Sequence, residues 1–194
     1  MKGASGRLRV LPCLDSAEMS ASRQQELDIP RSTAAVLGRT AVEVASVGYY
    51  FNRAGEKVDW SSEVQAACSS RRSIAPGAPL PTPKRTSRWE TKIQVANETT
   101  LQASLRLVES GLRPLALNFA NGIQPGGGFL KGARAQEEVL CRSSALYWTL
   151  VEDPMYEHHR GRQRPDSTDW AIYSPDVPVF RKNDGTELDQ PWQL

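Results

Sequence analysis

The chain has 194 residues, of which 39% are hydrophobic, and this length and composition suit one globular domain with a helical extension. Its 24 basic and 22 acidic residues leave a formal net charge of +2, which gives no electrostatic basis for direct DNA binding. No apolar stretch approaches the ~20 residues of a membrane span, so no membrane contact is expected. The chain is also expected to be a monomer, and its three cysteines, which form no CxxC pair, suit reduced thiols in a cytoplasmic protein.

The N-terminal segment, residues 1–18, differs in character from the rest of the chain. Its short apolar part is interrupted by Arg9 and Pro12 and is too short for a secretory signal. Helix-like sequence begins only after Met19. Residues 1–18 are therefore interpreted as a disordered tail or as the result of a mis-assigned start, with translation beginning at Met19.

Residues 19–88 are predicted to form an N-terminal helical extension followed by a proline-rich loop. Residues 20–47 predict helix that is interrupted at Pro30 and ends at Gly48. Residues 49–60 predict a hairpin, because aromatic and β-branched residues flank a polar turn. Residues 70–87 contain four prolines and several basic residues, which indicate a solvated connecting loop.

The part from residue 89 to the end alternates predicted strands and helices. Residues 92–96 predict a strand, and either Thr99 or Thr100 is predicted to cap the helix that comes after it. Residues 135–151 predict a further helix, and residues 179–188 predict a hairpin. This alternation predicts an α/β fold with a layered sheet.

The region between these helices carries the polar residues of a candidate ligand site. Residues 115–120 are apolar except for Asn118, a pattern typical of a buried parallel strand whose C-terminal end opens into a ligand site. Asn121 comes directly after this run. Three consecutive glycines come next, Gly126, Gly127 and Gly128. Glycines adopt backbone conformations closed to other residues and let a ligand approach the main chain closely.

An acid pair lies at the predicted start of the next helix. Gln136, Glu137 and Glu138 stand there, after a seven-residue spacer from the glycines. Neighbouring side chains on a helix point about 100° apart, so the two carboxylates are expected to serve different purposes, one as an acid and one as an anchor. The alternative is an ordinary solvated acid pair, favoured by the helix dipole.

This arrangement of glycines, spacer and Gln-Glu-Glu resembles the signature of poly(ADP-ribose) glycohydrolases. The surrounding Asn-Phe-Ala-Asn and Pro-Gly-Gly-Gly-Phe runs are similar to those of the microbial type. The resemblance is strong over about residues 115–150 and weaker over residues 173–181. It implies a macro-domain-like layered α/β sheet and, as partners, poly(ADP-ribose) or ADP-ribosylated proteins. No cofactor or metal is implied.

The resemblance also implies a chemistry, the hydrolysis of ribose–ribose O-glycosidic bonds with release of ADP-ribose. Glu138 would be the catalytic acid that protonates the departing ribose oxygen, and its carboxylate would then activate water. Glu137 would help to hold the ribose. Asn118 and Asn121 would bind substrate, with Asn121 on the distal ribose, because amides both donate to and accept from hydroxyls.

The remaining substrate contacts are assigned to the loop and to the residue before the acid pair. The backbone N–H groups of the three glycines would line the ribose and the diphosphate. Gln136 is predicted either to contact the substrate or to stabilise the loop. Phe129 is expected to anchor the loop, and Cys141 is expected to be an inert buried thiol.

Cysteines and histidines give no independent sign of a metal site. Cys13, Cys68 and Cys141 form no CxxC pair, and reduced thiols are the simpler interpretation. His158 and His159 lie side by side in a polar stretch, where both are expected to be exposed.

The resemblance implies a second glycine-rich loop and a downstream aromatic residue, neither of which is found after Leu188. Residues 89–194 are therefore expected to form a partial macro-like catalytic domain. Two alternatives to the enzyme stay open, a non-catalytic ADP-ribose-binding module and an inactive truncated remnant.

Overall fold

A computed structural model of the chain describes residues 7–80, 90–162 and 168–194. These residues form a mixed α/β fold, which confirms the predicted class. The helices are α1 (Ala17–Leu27), α2 (Arg31–Val47), α3 (Ser61–Ser70), α4 (Thr100–Glu109), α5 (Gln136–Ser143), α6 (Leu146–Leu150) and α7 (Pro154–Arg160). The strands are β1 (Arg7–Val10), β2 (Tyr49–Phe51), β3 (Lys57–Asp59), β4 (Arg72–Ile74), β5 (Glu90–Ile93), β6 (Ala171–Tyr173), β7 (Pro178–Arg181) and β8 (Glu187–Gln193).

The described strands pair two by two. β1 runs parallel to β5, while β2 with β3, β4 with β6 and β7 with β8 form antiparallel pairs. The predicted hairpins are thus present as β2–β3 and β7–β8. In detail the described strands form small separate sheets and not one continuous layer.

Helix α2 forms the back of the site, because one side of it consists of small residues. Ala34, Gly38, Ala41 and Ala45 recur at helical spacing and are buried. They let α5 and a 3₁₀ turn at Phe129–Lys131 approach closely. A Cβ atom on Gly38 would lie 2.6 Å from the carbonyl oxygen of Phe129, so only glycine fits there. The predicted end of this helix at Gly48 is confirmed, with φ at +80°.

An aromatic cluster beside α2 joins the first hairpin to the last one. Trp60 and Phe180 are completely buried, with ring centroids 4.7 Å apart, and Tyr50 packs on both rings. The indole nitrogen of Trp60 donates to the Val44 carbonyl of α2 at 3.2 Å. This packing fixes β7–β8 against the helices that carry the site.

The predicted buried strand at residues 115–120 is wrong. The segment is not a strand, and Leu115, Leu117 and Phe119 are 82%, 71% and 75% exposed. No described strand pairs with it, so the apolar pattern has no neighbour to pack against.

The predicted helix at residues 135–151 is divided into α5 and α6. Ser144 takes an extended conformation between them, with φ −148° and ψ 177°. Its hydroxyl donates to the Leu140 carbonyl and accepts from the Leu146 N–H, which closes one helix and opens the next.

Two predicted irregular segments contain regular structure. In the proline-rich loop, Arg72–Ile74 forms β4, and residues 81–87 lie outside the described residues. In the N-terminal segment, Arg7–Val10 forms β1, and Ser16 caps α1 by accepting from the Met19 N–H at 3.1 Å. Residues 7–18 are therefore not a disordered tail. Residues 1–6 lie outside the described residues, and the start at Met19 stays a prediction.

Over the described ranges, no helix has both the length and the apolar character needed to cross a membrane.

Candidate active site

The acid pair lies at the start of α5 and is buried. Glu137 is 3% exposed and Glu138 is 9% exposed. The solvated acid pair that the sequence left as an alternative is therefore wrong. Both carboxylates stand in the first turn, where the helix dipole favours negative charge. They face the glycine loop, which supplies backbone N–H donors to each of them.

Glu137 holds the loop from two sides. Its Oε2 accepts from the Asn121 N–H at 2.8 Å, and its Oε1 accepts from the Gly126 N–H at 3.2 Å. Burial raises the pKa of this carboxyl, and the nearby charge of Glu138 acts in the same direction. The hydrogen bonds from Asn121, Gly126 and the Asn118 side chain oppose that rise in the pKa without cancelling it.

Glu138 is held by a single contact. Its Oε1 accepts from the Gly128 N–H at 3.0 Å. No described residue donates a hydrogen bond to its other oxygen, Oε2. One oxygen is thus fixed by the loop, while the other has no hydrogen-bond donor among the described residues.

The glycines are required by close contacts with the acid pair and with the core. Gly126 and Gly127 have positive φ, at +69° and +56°. A Cβ atom on Gly127 would lie 2.6 Å from Glu138 Oε1, and one on Gly126 would lie 2.8 Å from the ring of Phe129. Phe129 is buried beneath the loop, 5.1 Å from the Tyr147 ring between centroids, which confirms its predicted anchoring role.

The N–H groups of the glycines all have partners within the protein, whereas the sequence predicted that they face the ligand. Gly126 and Gly128 donate to the two glutamates, and Gly127 donates to the Gln124 carbonyl at 3.0 Å. In this conformation the loop is organised around the carboxylates.

The two asparagines lie beside Glu137 but are held differently. Asn121 uses its Oδ1 to accept from the N–H groups of Ile123 and Gln124, both at 2.9 Å, so it shapes the start of the loop. Asn118 is half-buried, and its Oδ1 is buried without a hydrogen-bond partner in the described chain. An unpartnered buried acceptor next to an acid pair suits a ligand that brings a hydroxyl donor.

Gln136 contacts protein with both ends of its amide. Its Oε1 accepts from the Phe119 N–H at 2.8 Å, and its Nε2 donates to the Leu117 carbonyl at 2.7 Å and to Thr100 Oγ1 at 3.1 Å. Of the two roles predicted for this residue, these contacts correspond to stabilisation.

Cys141 lies directly behind the loop. Its thiol is fully buried, and burial raises its pKa well above the ordinary value, with the charges of Glu137 and Glu138 adding to that rise. A thiol in this state is protonated and inert, in agreement with the sequence interpretation.

Sequence reasoning missed a contact that holds the loop from α7. His159, predicted to be exposed, is half-buried, and its Nδ1 lies 2.8 Å from the Gly122 carbonyl. Because a carbonyl only accepts, Nδ1 carries a proton, and Nε2 lies 2.7 Å from the Thr168 hydroxyl. Arg160 donates to the Ile123 carbonyl at 2.9 Å. No local pattern links residues so far apart in the chain, so no sequence signal could reveal this support.

A second missed residue is Arg142, one turn after Glu138 on α5. It is 2% exposed, and none of its guanidinium nitrogens has a hydrogen-bond partner in the described part of the chain. Burial lowers its pKa, while the charge of Glu138 opposes that shift.

The described residues contain no group of three or more histidine, cysteine, aspartate or glutamate side chains placed to hold a metal ion.

Comparison with known proteins connects this geometry to one family. The profile of the family described as "Microbial-type PARG, catalytic domain" matches residues 38–182, which is most of the chain. The chain belongs to this family. The resemblance drawn from the glycines and the Gln-Glu-Glu run is thereby confirmed. Among curated proteins, none matches the chain.

Solved structures of bacterial poly(ADP-ribose) glycohydrolases have the same fold. The enzyme from Thermomonospora curvata is 36% identical, with a TM-score of 0.77 over 84% of this chain and 62% of that one. Its complex with the inhibitor ADP-HPD is also 36% identical, with a TM-score of 0.74 over 84% and 60% of the two chains. The enzyme from Deinococcus radiodurans in complex with ADP-ribose is 36% identical, with a TM-score of 0.51 over 68% and 55%. The chain therefore spans about 62% of the length of the Thermomonospora protein.

Proposed function

We propose that the chain hydrolyses ribose–ribose O-glycosidic bonds of poly(ADP-ribose) and releases ADP-ribose, with Glu138 as general acid and base. The observation that carries this proposal is the buried Glu138 carboxylate, fixed at one oxygen by the Gly128 N–H and unpartnered at the other among the described residues. Family membership supports it, since the related structures are poly(ADP-ribose) glycohydrolases, one of them in complex with ADP-ribose. Poly(ADP-ribose) or ADP-ribosylated proteins are the proposed partners.

The proposed chemistry assigns each oxygen of Glu138 a task. Oε1 stays on the Gly128 N–H and keeps the carboxyl in place, while Oε2 carries the proton to the departing ribose oxygen. As the C–O bond breaks, an oxocarbenium-like centre forms on the other ribose, and the glutamate becomes a carboxylate. That carboxylate then removes a proton from the attacking water and is restored to its acid form.

Glu137 is proposed to position the ribose. Each of its oxygens accepts one backbone N–H, and a carboxylate offers about four lone-pair sites, so capacity is left for a sugar hydroxyl. Asn118 Oδ1 can accept a hydrogen bond from a sugar hydroxyl, and the Asn121 Nδ2 group can donate one to a hydroxyl oxygen. These residues lie together at the glycine loop, which would contact the sugar and diphosphate by close backbone approach.

A second candidate function is ADP-ribose binding without turnover. It is favoured by the groups available to a sugar hydroxyl, the unpartnered Asn118 Oδ1 and the remaining lone pairs of Glu137, because these could bind ADP-ribose whether or not Glu138 transfers a proton.

A pair of isosteric variants tests the proposal. Glu138→Gln keeps an oxygen for the Gly128 N–H but cannot transfer a proton, so turnover should fall by about 10²–10⁴-fold while calorimetry still detects ADP-ribose binding. Glu137→Gln, its matched control, brings an amide NH₂ against a backbone donor and should weaken ADP-ribose binding as well as turnover. Full turnover by the Glu138 variant would refute the catalytic assignment. Binding without turnover in the parent protein would favour the second candidate.

A further inference from the structure

The segment that carries Asn118 has little to hold it in place apart from Gln136. Leu117 and Phe119, on either side of Asn118, are 71% and 75% exposed, so side-chain packing fixes them weakly. No described strand pairs with this segment. The side-chain amide of Gln136 meets it instead, accepting from the Phe119 N–H and donating to the Leu117 carbonyl.

These two hydrogen bonds have the donor and acceptor pattern of pairing with a neighbouring strand. In extended chain, the backbone groups of residues i and i+2 point to the same side. A partner strand would present one acceptor and one donor to them, and the carboxamide of Gln136 presents the same two groups at 2.8 and 2.7 Å. The amide is thus hydrogen-bonded to the backbone of the residues immediately before and immediately after Asn118.

A third contact fixes which way the amide faces. Gln136 Nε2 also donates to Thr100 Oγ1 at 3.1 Å, and Thr100 is the first residue of α4. That end of α4 is rigid, because Thr99 and Gln102 form a reciprocal capping box and Asn183 donates to the Thr99 hydroxyl at 2.9 Å. With two acceptors around its nitrogen, the amide can present only its oxygen to the Phe119 N–H.

We propose that Gln136 is a positioning residue whose side-chain amide, anchored on Thr100, clamps the backbone on both sides of Asn118 and so holds that side chain beside Glu137. Both amide hydrogens are used in this clamp, so Gln136 acts on the substrate through Asn118 and not by direct contact. The inference rests on the proposed function for its consequence in catalysis, but the clamp itself is a property of the folded protein.

Residue-resolved amide hydrogen exchange measured by NMR tests the clamp without any need for turnover. In the parent protein the Phe119 amide should be protected despite its exposed side chain. Gln136→Leu should raise its exchange rate by roughly fivefold or more, the amount expected when one ordinary hydrogen bond is lost. The Asn121 amide, held by Glu137, is the internal control and should keep its protection. An unchanged Phe119 rate, or an equal loss at Asn121, would overturn the proposal.

Two milder variants keep the test decisive if Gln136→Leu folds poorly. Gln136→Glu retains an acceptor for Phe119 but loses both donors, and Thr100→Val removes only the anchor of the amide. Both should raise Phe119 exchange by less than Gln136→Leu does, with Asn121 unchanged. No effect of either variant on Phe119 would count against the clamp.

The consequence for substrate is a change in binding with a smaller change in chemistry. Gln136→Leu and Thr100→Val should raise the KM for poly(ADP-ribose), or the Kd for ADP-ribose, several-fold more than they lower kcat, because Glu138 keeps its Gly128 contact. An equal fall in kcat with KM unchanged would contradict the positioning role. If the parent protein shows no turnover, the proposed function fails, while the exchange experiment still decides the clamp.

Discussion

Glu138 Oε1 lies 3.0 Å from the backbone nitrogen of Gly128, and a Cβ atom on Gly127 would stand 2.6 Å from that same oxygen. The glycine loop and the acid pair therefore fit together as one unit with no room for a methyl group between them. Glu137 contacts the same loop by accepting hydrogen bonds from the Asn121 and Gly126 N–H groups. The seven-residue spacer therefore connects the glycine loop to the acid pair that it contacts.

The first prediction concerns the lack of space for a side chain at Gly127. Gly127→Ala should lower turnover strongly and also destabilise the fold, because the new methyl group would contact both carboxylates in addition to straining a backbone with φ of +56°. The conformational strain by itself is about 1–2 kcal/mol. Gly77→Ala is the matched control, since Gly77 has φ of +73° and a Cβ atom there would meet nothing within 4 Å. Urea denaturation and turnover of both variants measure the difference, and equal effects would contradict the close fit.

The second prediction is a dependence of stability on pH that originates at Glu137. Burial raises the pKa of this carboxyl above its ordinary 4.5, so the folded state holds a proton that the unfolded state releases. The free energy of unfolding of the parent should therefore fall relative to that of Glu137→Gln as the pH rises above about 4.5, and then level off once the folded-state carboxyl has ionised.

Urea titrations of both proteins between about pH 4 and pH 8 measure that difference. The exposed Glu109→Gln variant controls for the loss of a negative charge at the surface. A difference that grows in favour of the parent with rising pH would contradict the assignment.

The third prediction concerns the buried cation on α5. Arg142 has no hydrogen-bond partner in the described part of the chain, and burying its guanidinium without hydrogen bonds is costly, although the charge of Glu138 offsets part of that cost. Arg142→Met should therefore raise the free energy of unfolding by about 1–3 kcal/mol, the cost of a buried polar group left without hydrogen bonds. Arg181→Met is the matched control, because Arg181 is similarly buried but pairs with Glu187 at 2.9 Å and donates to the Leu37 carbonyl. That variant should be destabilised, and destabilisation of both would contradict the account of Arg142.

The site was predictable from sequence to the extent that its parts are local. The glycines and the acid pair lie within about a dozen residues of one another, and their types are dictated by positive φ and by the chemistry of a carboxylate. Helix boundaries set by nearby signals were likewise accessible, such as the end of α2 at Gly48 and the start of α4, where the sequence offered Thr99 or Thr100 as the cap and the structure has Thr99.

The features that the sequence could not provide depend on contacts between distant residues. The apolar pattern at residues 115–120 predicts a buried strand, but burial requires a neighbouring strand, and the described chain places none beside it. The same limitation hid the support of Gly122 by His159 and the direction of the glycine N–H groups. A pattern of residue types indicates that a backbone can approach a ligand closely, but not which partner its N–H groups select.

The most direct test of the central claim is the release of ADP-ribose from purified poly(ADP-ribose) by this chain, measured over time beside the Glu138→Gln variant. The proposed function predicts that the parent releases ADP-ribose and that the variant, folded and still able to bind ADP-ribose, releases it about 10²–10⁴-fold more slowly. Equal release by both proteins, or none from a folded parent, would contradict it.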